Sequence, residues 1–304
     1  MPIRDRFELK RVKNLVIPPA WKKVWISPLA NSHLQCTGKD EKNRKQYLYH
    51  PDWAEYRQSE KFDRLREFGE QLSGIRSAYK KGLCESKWNK AKVISLIVCL
   101  LDKHYFRIGN QQYASDNKTY GVTTLRRKHI QQDSDKLSLV YKAKSGKLRK
   151  VRLEDKKVTK LLKEVSELPG YEIFRFKESS GSYSSIDSSD VNTYLKEITQ
   201  EDFTAKDFRT WGASKLALEE YEGSLMDIKN NKRLKFESAL IKRVAKEIGN
   251  TVSVCRQYYI HPTVLSLLEE HHPKPLADLS NDDSKKMNRH LSNYEHMLLN
   301  LLKS

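Results

Sequence analysis

Cysteine is scarce in this 304-residue sequence, and no apolar run in it is long. The four cysteines, Cys36, Cys84, Cys99 and Cys255, are far apart and form no C-x-x-C pair, which argues against a zinc site and against a disulfide framework. The longest apolar run, residues 93–101, is too short to span a bilayer, because a spanning helix needs about 20 residues. The first ten residues, MPIRDRFELK, lack the apolar stretch of a signal peptide. These absences predict a soluble intracellular protein.

Motifs for nucleotide or metal chemistry are also missing. No glycine-rich loop ends in Gly-Lys-Ser/Thr, so the sequence offers no loop that cradles nucleotide phosphates. It has no H-E-x-x-H and no clustered aspartates that would hold a metal ion. It also has no G-x-S-x-G nucleophile turn. We therefore expect no cofactor and no metal, and any enzyme activity should proceed without ATP.

Positive charge is abundant. Lysine and arginine number 57 against 39 aspartates and glutamates, which gives a net charge of +18. Such an excess favours a polyanionic partner, most often a nucleic acid, over a merely basic and well solvated surface. A membrane partner is disfavoured, since no segment near a terminus combines a basic face with a strongly apolar one.

The two parts of the chain differ in their patterns of apolar and polar residues, and together they predict an α+β protein. Residues 1–72 alternate as strands do, and a basic turn, TGKDEKNRKQ, joins two of these strands. A helix should follow Pro51, and Ser73-Gly74 should be a hinge before a second domain, residues 73–304. The alternation that predicts the strands is carried by Val24, Ile26, Leu34, Cys36, Tyr47 and Tyr49.

Helices should dominate after residue 75. Residues 93–101 are apolar all round and predict a buried helix, and amphipathic helices are expected at 207–221 and 235–249, the second ending at Gly249. Residues 137–141 and 148–153 flank KAKSGK and predict a β hairpin. The Ser-rich stretch 179–190 should be a loop that leads into a helix at Asp190. A short helix, YEHMLLNLL, should follow a polar tail after His272.

Three cations stand in unusual surroundings. Arg107 lies in FRIGNQQY, Lys144 in KAKSGK and Arg209 in TAKDFRTWGAS. Phosphoryl chemistry without a metal needs protein cations to stabilise charge at phosphorus, and the planar fork of arginine can hold two phosphate oxygens. A single lysine or arginine is usually only a solvated surface charge, so each signal is weak alone.

Five sequence segments, taken in their order along the chain, give a much stronger signal than any of these cations alone. They are IPPAWKKVWISP with TGKD…RKQYLYHP, then FRIGNQQYASDNKTYGVTTLRRKHI, KAKSGK, TAKDFRTWGAS and NTVSVCRQYYIHP. From about residue 11 to residue 265 the sequence resembles the type IB DNA topoisomerases, most of all the small bacterial and poxvirus members. The resemblance implies a two-domain DNA clamp, with a small antiparallel-β N-terminal domain on one face of the duplex and a mostly helical catalytic domain, carrying a β hairpin, on the other.

The resemblance also implies an activity and its residues. The enzyme would nick and reseal one strand of duplex DNA through a 3′-phosphotyrosine, relaxing positive and negative supercoils. Tyr259 would be the nucleophile, Arg107 and Arg209 the two catalytic arginines, and Lys144 the proton donor to the leaving 5′ oxygen. Asn250 stands where some members have histidine, and its amide can donate a hydrogen bond but supplies no charge.

The DNA contacts implied in the same way are less specific. Gln46 and Tyr47 match residues that touch bases, although an ordinary strand pair would look the same. The basic runs should contact phosphates through Arg126, Arg127, Lys128 and Lys147, although each of these could be only solvated. The expected partner is double-stranded DNA, bound by a monomer that is cytoplasmic and nucleoid-associated, or in the virion if the source is a virus.

Three questions stay open at this level. Tyr258 and Tyr259 are adjacent, and periodicity alone does not say which of them packs and which faces DNA. A tyrosine recombinase shares the chemistry but carries H-x-x-R at the second arginine, where this sequence has Lys206-Asp-Phe-Arg209. A non-catalytic DNA-binding protein would explain the charge but not the full set of catalytic residue types.

Overall fold

The structure is a computed structural model that describes residues 5–133, 136–279 and 290–303. The chain divides into two compact units, Met1–Arg64 and Leu65–Ser304. Helices are combined with small antiparallel sheets, which confirms the expected α+β class.

The first unit is a three-stranded antiparallel sheet with two helices. Its elements are α1 (Arg6–Asn14), β1 (Lys22–Ile26), β2 (Leu34–Lys39), β3 (Lys45–Tyr49) and α2 (Pro51–Asp63), and the strand order is β1-β2-β3. All three predicted strands are confirmed, and so is the turn between β2 and β3. Helix α1 was not predicted. Asp5 caps its N-terminus by accepting a hydrogen bond from the backbone N–H of Phe7 at 2.8 Å.

The second unit is mostly helical. Its helices are α3 (Leu65–Gly82), α4 (Lys90–His104), α5 (Gln111–Asp116), α6 (Lys156–Ser166), α7 (Ser188–Thr199), α8 (Asp207–Glu219), α9 (Tyr221–Asn230), α10 (Phe236–Ile248), α11 (Val252–Tyr258), α12 (Pro262–His271) and α13 (Asn293–Leu301). Its strands are β4 (Ile130–Asp133), β5 (Lys136–Lys142) and β6 (Leu148–Leu153) in one sheet, and β7 (Arg175–Lys177) and β8 (Tyr183–Ser185) in another. The predicted hairpin is β5–β6.

Helix α4 forms the centre of this unit. Every residue from Lys92 to Asp102 is buried, because α3, α7 and α8 all pack around the helix. A helix that is apolar on all sides has to be enclosed in this way, so the expected buried helix is confirmed.

The predicted hinge at Ser73-Gly74 is wrong. Both residues lie inside α3, which continues across them and buries Leu65, Phe68, Leu72, Ile75 and Tyr79 along one face. Residues 65–72 therefore belong to the helical unit, and the division falls after Arg64 rather than after residue 72. Gly74 faces solvent, where a glycine costs helix propensity without breaking the helix.

Some boundaries near the site also differ from expectation. The Ser-rich stretch contains β8, and the helix after it begins at Ser188 with Asp187 as its cap, not at Asp190. Helix α11 ends at Tyr258, and His261 caps α12. The expected C-terminal helix is confirmed as α13, which packs against α3 and α8. Part of the polar tail, residues 280–289, lies outside the described residues.

Candidate active site

Two helix ends supply the platform of the site. Tyr105 follows α4 with a left-handed backbone (φ 54), and Gly249 follows α10 in the same conformation (φ 65), as the sequence predicted for Gly249. The last carbonyls of a helix have no partner within it, and they form the negative end of its dipole. Here the carbonyls at the ends of both helices accept hydrogen bonds from arginines. These carbonyls are those of His104, Tyr105, Ile248 and Gly249.

Arg107 leaves the end of α4 on a tightly packed loop. The backbone N–H of Val122 donates to its carbonyl at 2.8 Å, and Thr123 N–H donates to that of Ile108 at 2.8 Å. A Cβ added to Gly121 would overlap the backbone of Gly109, so only glycine permits this crossing. The loop aims the Arg107 guanidinium at the end of α10, where it donates to Gly249 O at 3.1 Å.

Arg209 comes from the first turn of α8 and is only 2% exposed. Its guanidinium donates to the carbonyl of Tyr105 and to that of Ile248, the second at 3.0 Å. The ends of α4 and α10 therefore bring Arg107 and Arg209 into one centre.

Tyr259 packs against that centre. Arg209 Cζ lies 5.1 Å from the centroid of the Tyr259 ring. Burial raises the pKa of the phenol, but the charge and hydrogen bond of Arg209, with the charges of Arg107 and Lys206, outweigh it and lower the pKa of Tyr259. Tyr258 is 43% exposed instead. The environment that favours a phenolate therefore belongs to Tyr259.

Asn250 joins the centre through its amide. The oxygen Oδ1 accepts from Arg107, and because arginine can only donate, this contact fixes which end of the amide faces it. The nitrogen Nδ2 is left buried without a hydrogen-bond partner. A buried donor of this kind is costly unless a ligand oxygen completes it.

Positive charge at this centre is not neutralised by carboxylates. Within the described part of the chain no ion pair joins Arg107, Arg149 or Arg209 to an acid. Burial, together with the charge of Arg209, lowers the pKa of Arg107 to about 10. Helix carbonyls thus accept from the terminal N–H groups of these arginines, Arg209 Nε is left without a partner, and the net charge remains available for an anion.

Arg149 is the member of this centre that the sequence analysis missed. It is buried on β6 and donates to Ile248 O at 3.1 Å and to His104 O at 2.7 Å. It lies in KLRKVR, one of the basic runs of the sequence. Strand alternation with Val151 and Leu153 on the inner face is the signal that could have marked it as buried.

Lys144 lies at the turn of the β5–β6 hairpin. Ser145 and Gly146 both have positive φ (65° and 73°), as a tight hairpin turn of this kind requires. The side chain of Lys144 is exposed, and its ammonium has no hydrogen bond or ion pair among the residues described. The structure therefore places Lys144 on the expected turn but does not bring it into contact with Arg209 or Tyr259.

The predicted phosphate contacts of the second unit flank Tyr120. Arg126 Cζ and Lys128 Nζ lie 5.7 Å and 5.9 Å from the centroid of its ring. Arg127 donates to the carbonyl of Leu168, which uses part of its hydrogen-bonding capacity within the protein. Lys147 is exposed beside the hairpin turn.

The two predicted base contacts of the first unit lie on opposite faces of its sheet, because neighbouring side chains alternate along a strand. Gln46 Nε2 donates to Asp40 Oδ2 at 2.9 Å, so its amide is held by the turn before β3. Tyr47 is 47% exposed on the other face.

The Tyr47 face carries two rows of residues across the three strands. Opposed residues in an antiparallel sheet point to the same side. One row is Lys22, Lys39 and Lys45, and the other is Trp25, Thr37 and Tyr47. Lysines beside exposed aromatic rings match the charges and stacking surfaces that nucleic acids recognise.

The described residues hold no group of three or more His, Cys, Asp or Glu side chains that could bind a metal ion. All four cysteines are free thiols, as the sequence suggested. Among the helices described, none has the length and apolar character needed to cross a membrane.

Comparison with known proteins gives the family of this chain. Residues 45–280 match the family described as "Eukaryotic DNA topoisomerase I, catalytic core", and residues 1–40 match "Bacterial DNA topoisomerase IB, N-terminal domain". DNA topoisomerase 1B of Acanthamoeba polyphaga mimivirus is 30% identical over 283 residues, covering 91% of this chain and 84% of that protein. The enzyme of the same name from Vaccinia virus (strain Copenhagen) is 22% identical, covering 82% and 76%.

The chain belongs to the type IB DNA topoisomerases, which break and rejoin one DNA strand through a tyrosine intermediate. Within that family it is of the small viral and bacterial type. Among solved structures, the XerH site-specific recombinase matches 62% of this chain and 47% of its own, with 15% identity and a TM-score of 0.35, which is too low to establish a common fold.

Proposed function

We propose that Arg107, Lys144, Arg209, Asn250 and Tyr259 carry out the strand breakage and rejoining of this topoisomerase. One observation carries the assignment: the buried Arg209 and the half-buried Arg107, neither paired with a carboxylate among the described residues, converge at the phenol of Tyr259. That arrangement favours the nucleophilic phenolate and offers charge to a phosphate in the same place.

In the forward step the Tyr259 oxygen attacks the phosphorus and the bond to the 5′ oxygen breaks. The strand then carries a 3′-phosphotyrosine and a free 5′ hydroxyl. Lys144 donates the proton that the departing 5′ oxygen needs, since an alkoxide is a poor leaving group. Rejoining is the reverse: the 5′ hydroxyl returns this proton and attacks the phosphotyrosine. The ester keeps the bond energy, so ATP is not needed.

The other three side chains act on the phosphate oxygens. Arg107 and Arg209 stabilise the charge of the five-coordinate phosphorus, where a fixed pair of guanidiniums is more effective than solvent. Asn250 donates its partnerless Nδ2 hydrogen to a non-bridging oxygen. A phosphate at this position would give a partner to Asn250 Nδ2 and to the buried Arg209 Nε, neither of which has one among the described residues.

DNA binding involves both units in this proposal. In unit 1, residues 1–64, the lysine and aromatic rows of the sheet contact one side of the duplex, and Gln46 contacts a base by exchanging its hydrogen bond to Asp40 for one to DNA. Unit 2, residues 65–304, contacts phosphates through Arg126, Lys128 and Lys147, with a lesser part for Arg127. A monomer closing on DNA as a clamp fits this division, acting in the cytoplasm on nucleoid DNA or in a virion.

The decisive experiment uses the purified full chain with a supercoiled plasmid in EDTA and without ATP. Positively and negatively supercoiled plasmids should both relax, and denaturant should trap a protein–DNA adduct. The adduct should map to Tyr259 by peptide sequencing. An adduct on another residue, or relaxation that requires added magnesium or ATP, would overturn the assignment. Exchange between paired sites without progressive relaxation would favour the recombinase alternative.

A further inference from the structure

Arg149 is a buried cation for which the proposed reaction has no role. Its guanidinium donates to His104 O at 2.7 Å, to Tyr105 O at 3.4 Å and to Ile248 O at 3.1 Å. Burying a guanidinium is expensive, and here no ion pair offsets that cost among the described residues. Three helix-end carbonyls hold the group in place instead.

Two of those carbonyls also hold Arg209. Tyr105 O and Ile248 O each accept one hydrogen bond from Arg149 and one from Arg209. The two guanidiniums are therefore fixed to the same pair of helix ends. If Arg149 moves relative to these helix ends, it also moves relative to Arg209.

Arg149 at the same time belongs to the hairpin that carries Lys144. It lies on β6 opposite Tyr141 of β5, and Lys144 lies in the turn between these strands. The ammonium of Lys144 has no partner within the described residues, so its position depends on how the hairpin is anchored. Near the turn further contacts tie the hairpin to the rest of the unit: Tyr120 N–H donates to Lys142 O at 2.8 Å, and the ring of Tyr141 stacks on that of Phe106 at 6.0 Å between centroids.

We propose that Arg149 is a positioning residue, which sets the distance between the Lys144 hairpin and the centre formed by Arg107, Arg209 and Tyr259. The inference rests on the proposed role of Lys144 as proton donor. Arg149 is buried and its donors are taken by carbonyls, so it acts through the hairpin and does not touch DNA. Its loss should slow proton delivery to the 5′ oxygen and leave the affinity for DNA unchanged.

The experiment measures single-turnover cleavage of two duplexes by the full chain. One duplex has a normal scissile phosphodiester, and the other has sulfur as the 5′-bridging atom, which leaves without a proton. Arg149→Ala should lose about 100-fold on the normal duplex, the loss expected when a reacting group is misplaced by about 1 Å, and far less on the sulfur duplex. Arg149→Lys, which keeps the charge and can reach one carbonyl, should recover part of the rate.

The matched control is Arg152→Ala, which removes the same side chain from an exposed position on the same strand. It should cleave both duplexes at the normal rate. Thermal unfolding of every variant shows whether it is folded at the assay temperature. If Arg149→Ala is not folded there, the comparison of the two duplexes is made with Arg149→Lys.

Lys144→Ala separates the role of Lys144 as proton donor from the role of Arg149 in positioning the hairpin. If it loses more on the normal duplex than on the sulfur duplex while both Arg149 variants lose equally on the two, Arg149 does not act through the hairpin and only this inference fails. If Lys144→Ala itself loses equally on both, the role of Lys144 fails, and the inference fails with it. Weakened DNA binding at an unchanged cleavage rate would also overturn it.

Discussion

The guanidinium of Arg209 lies over the ring of Tyr259, with Cζ 5.1 Å from the ring centroid. The carbonyls of Tyr105 and Ile248 accept hydrogen bonds from Arg209 and hold its charge at the phenol. Tyr259 itself lies just past the end of α11, whose residues are exposed except for Cys255. The proposed nucleophile thus follows a mostly exposed helix, and the arginine beside it is buried.

The cleavage rate should begin to rise at a lower pH than it would with a tyrosine of ordinary pKa. Because nearby arginines lower the pKa of Tyr259, the phenolate becomes populated at lower pH, and the single-turnover rate follows it. Arg107→Gln removes one of these charges, so the rising limb of the rate–pH profile should move to higher pH. Arg152→Gln should not move it. A lower plateau with an unmoved limb would show that Arg107 does not act on the phenol.

The adjacent tyrosines should differ sharply. Tyr259→Phe removes one oxygen and keeps the ring, so folding and DNA affinity should survive while the covalent adduct disappears. Tyr258→Phe alters an exposed ring and should keep most of the activity. The measurement is adduct yield for each variant on one labelled duplex. The assignment would be reversed by adduct from Tyr259→Phe and none from Tyr258→Phe.

Gly212 and Gly74 form a matched pair of helical glycines. A Cβ at Gly212 would overlap the ring of Tyr105, whose carbonyl holds Arg209. Gly212→Ala should therefore cost about 1–3 kcal/mol of stability and slow adduct formation at least about tenfold. Gly74→Ala meets nothing within 4 Å on an exposed helix face and should stabilise by about 0.5–1 kcal/mol. Unfolding and adduct assays of both variants test the prediction, which normal adduct formation by Gly212→Ala would contradict.

The division at Arg64 can be tested by fragments. Residues 65–304 retain the whole of α3 and should fold, binding DNA more weakly because the contacts of the first unit are lost. Residues 75–304 lose Leu65, Phe68 and Leu72, all fully buried, and should not form a cooperative fold. Circular dichroism and thermal melts distinguish the two fragments. Equal stability of both would place the division elsewhere.

Glu295 should make stability depend on acid pH. Burial raises the pKa of its carboxyl, but hydrogen bonds and charge from Arg76 outweigh it and bring the pKa from 4.5 to about 2. An acid with a lowered folded-state pKa stabilises above its unfolded pKa, and that stability is lost as pH falls from about 4.5 towards 2. The contribution is on the order of 3 kcal/mol.

Glu295→Gln should therefore lower Tm at neutral pH and flatten the fall in Tm below pH 4.5. The control is Glu270→Gln, at an exposed position of α12. Thermal melts at closely spaced pH values measure both. Parallel curves for Glu295→Gln and the unsubstituted protein would show that the buried pair with Arg76 does not carry this pH dependence.

The sequence predicted the elements whose pattern is local. Alternation marked all three strands of the first sheet, and the Ser145-Gly146 turn and Gly249 cap were readable because positive φ restricts the residues allowed there. The break at Ser73-Gly74 was wrong because a single exposed glycine weakens a helix less than five buried apolar residues stabilise it.

The candidate centre was predicted through its motifs, and the structure brings four of the five predicted residues together. Their geometry was not foreseeable, because it depends on how the ends of α4 and α10 approach each other in space. Arg149 was missed for that reason: nothing next to it in sequence reveals that its partners are carbonyls 44 and 99 residues away. Lys144 remains a prediction, since its only link to the centre is the hairpin.

The arginine centre also has a consequence for how this enzyme tolerates change. Three guanidiniums held near one another by neutral carbonyls repel, and the fold bears that repulsion continuously while DNA is present only part of the time. Replacing one of the three with an apolar residue of similar volume would relieve that repulsion, but it would leave helix-end carbonyls without their donor. Selection for thermal stability alone would act on the balance of these two effects, and any replacement that it favoured at Arg107 or Arg209 would remove a cation of the proposed reaction.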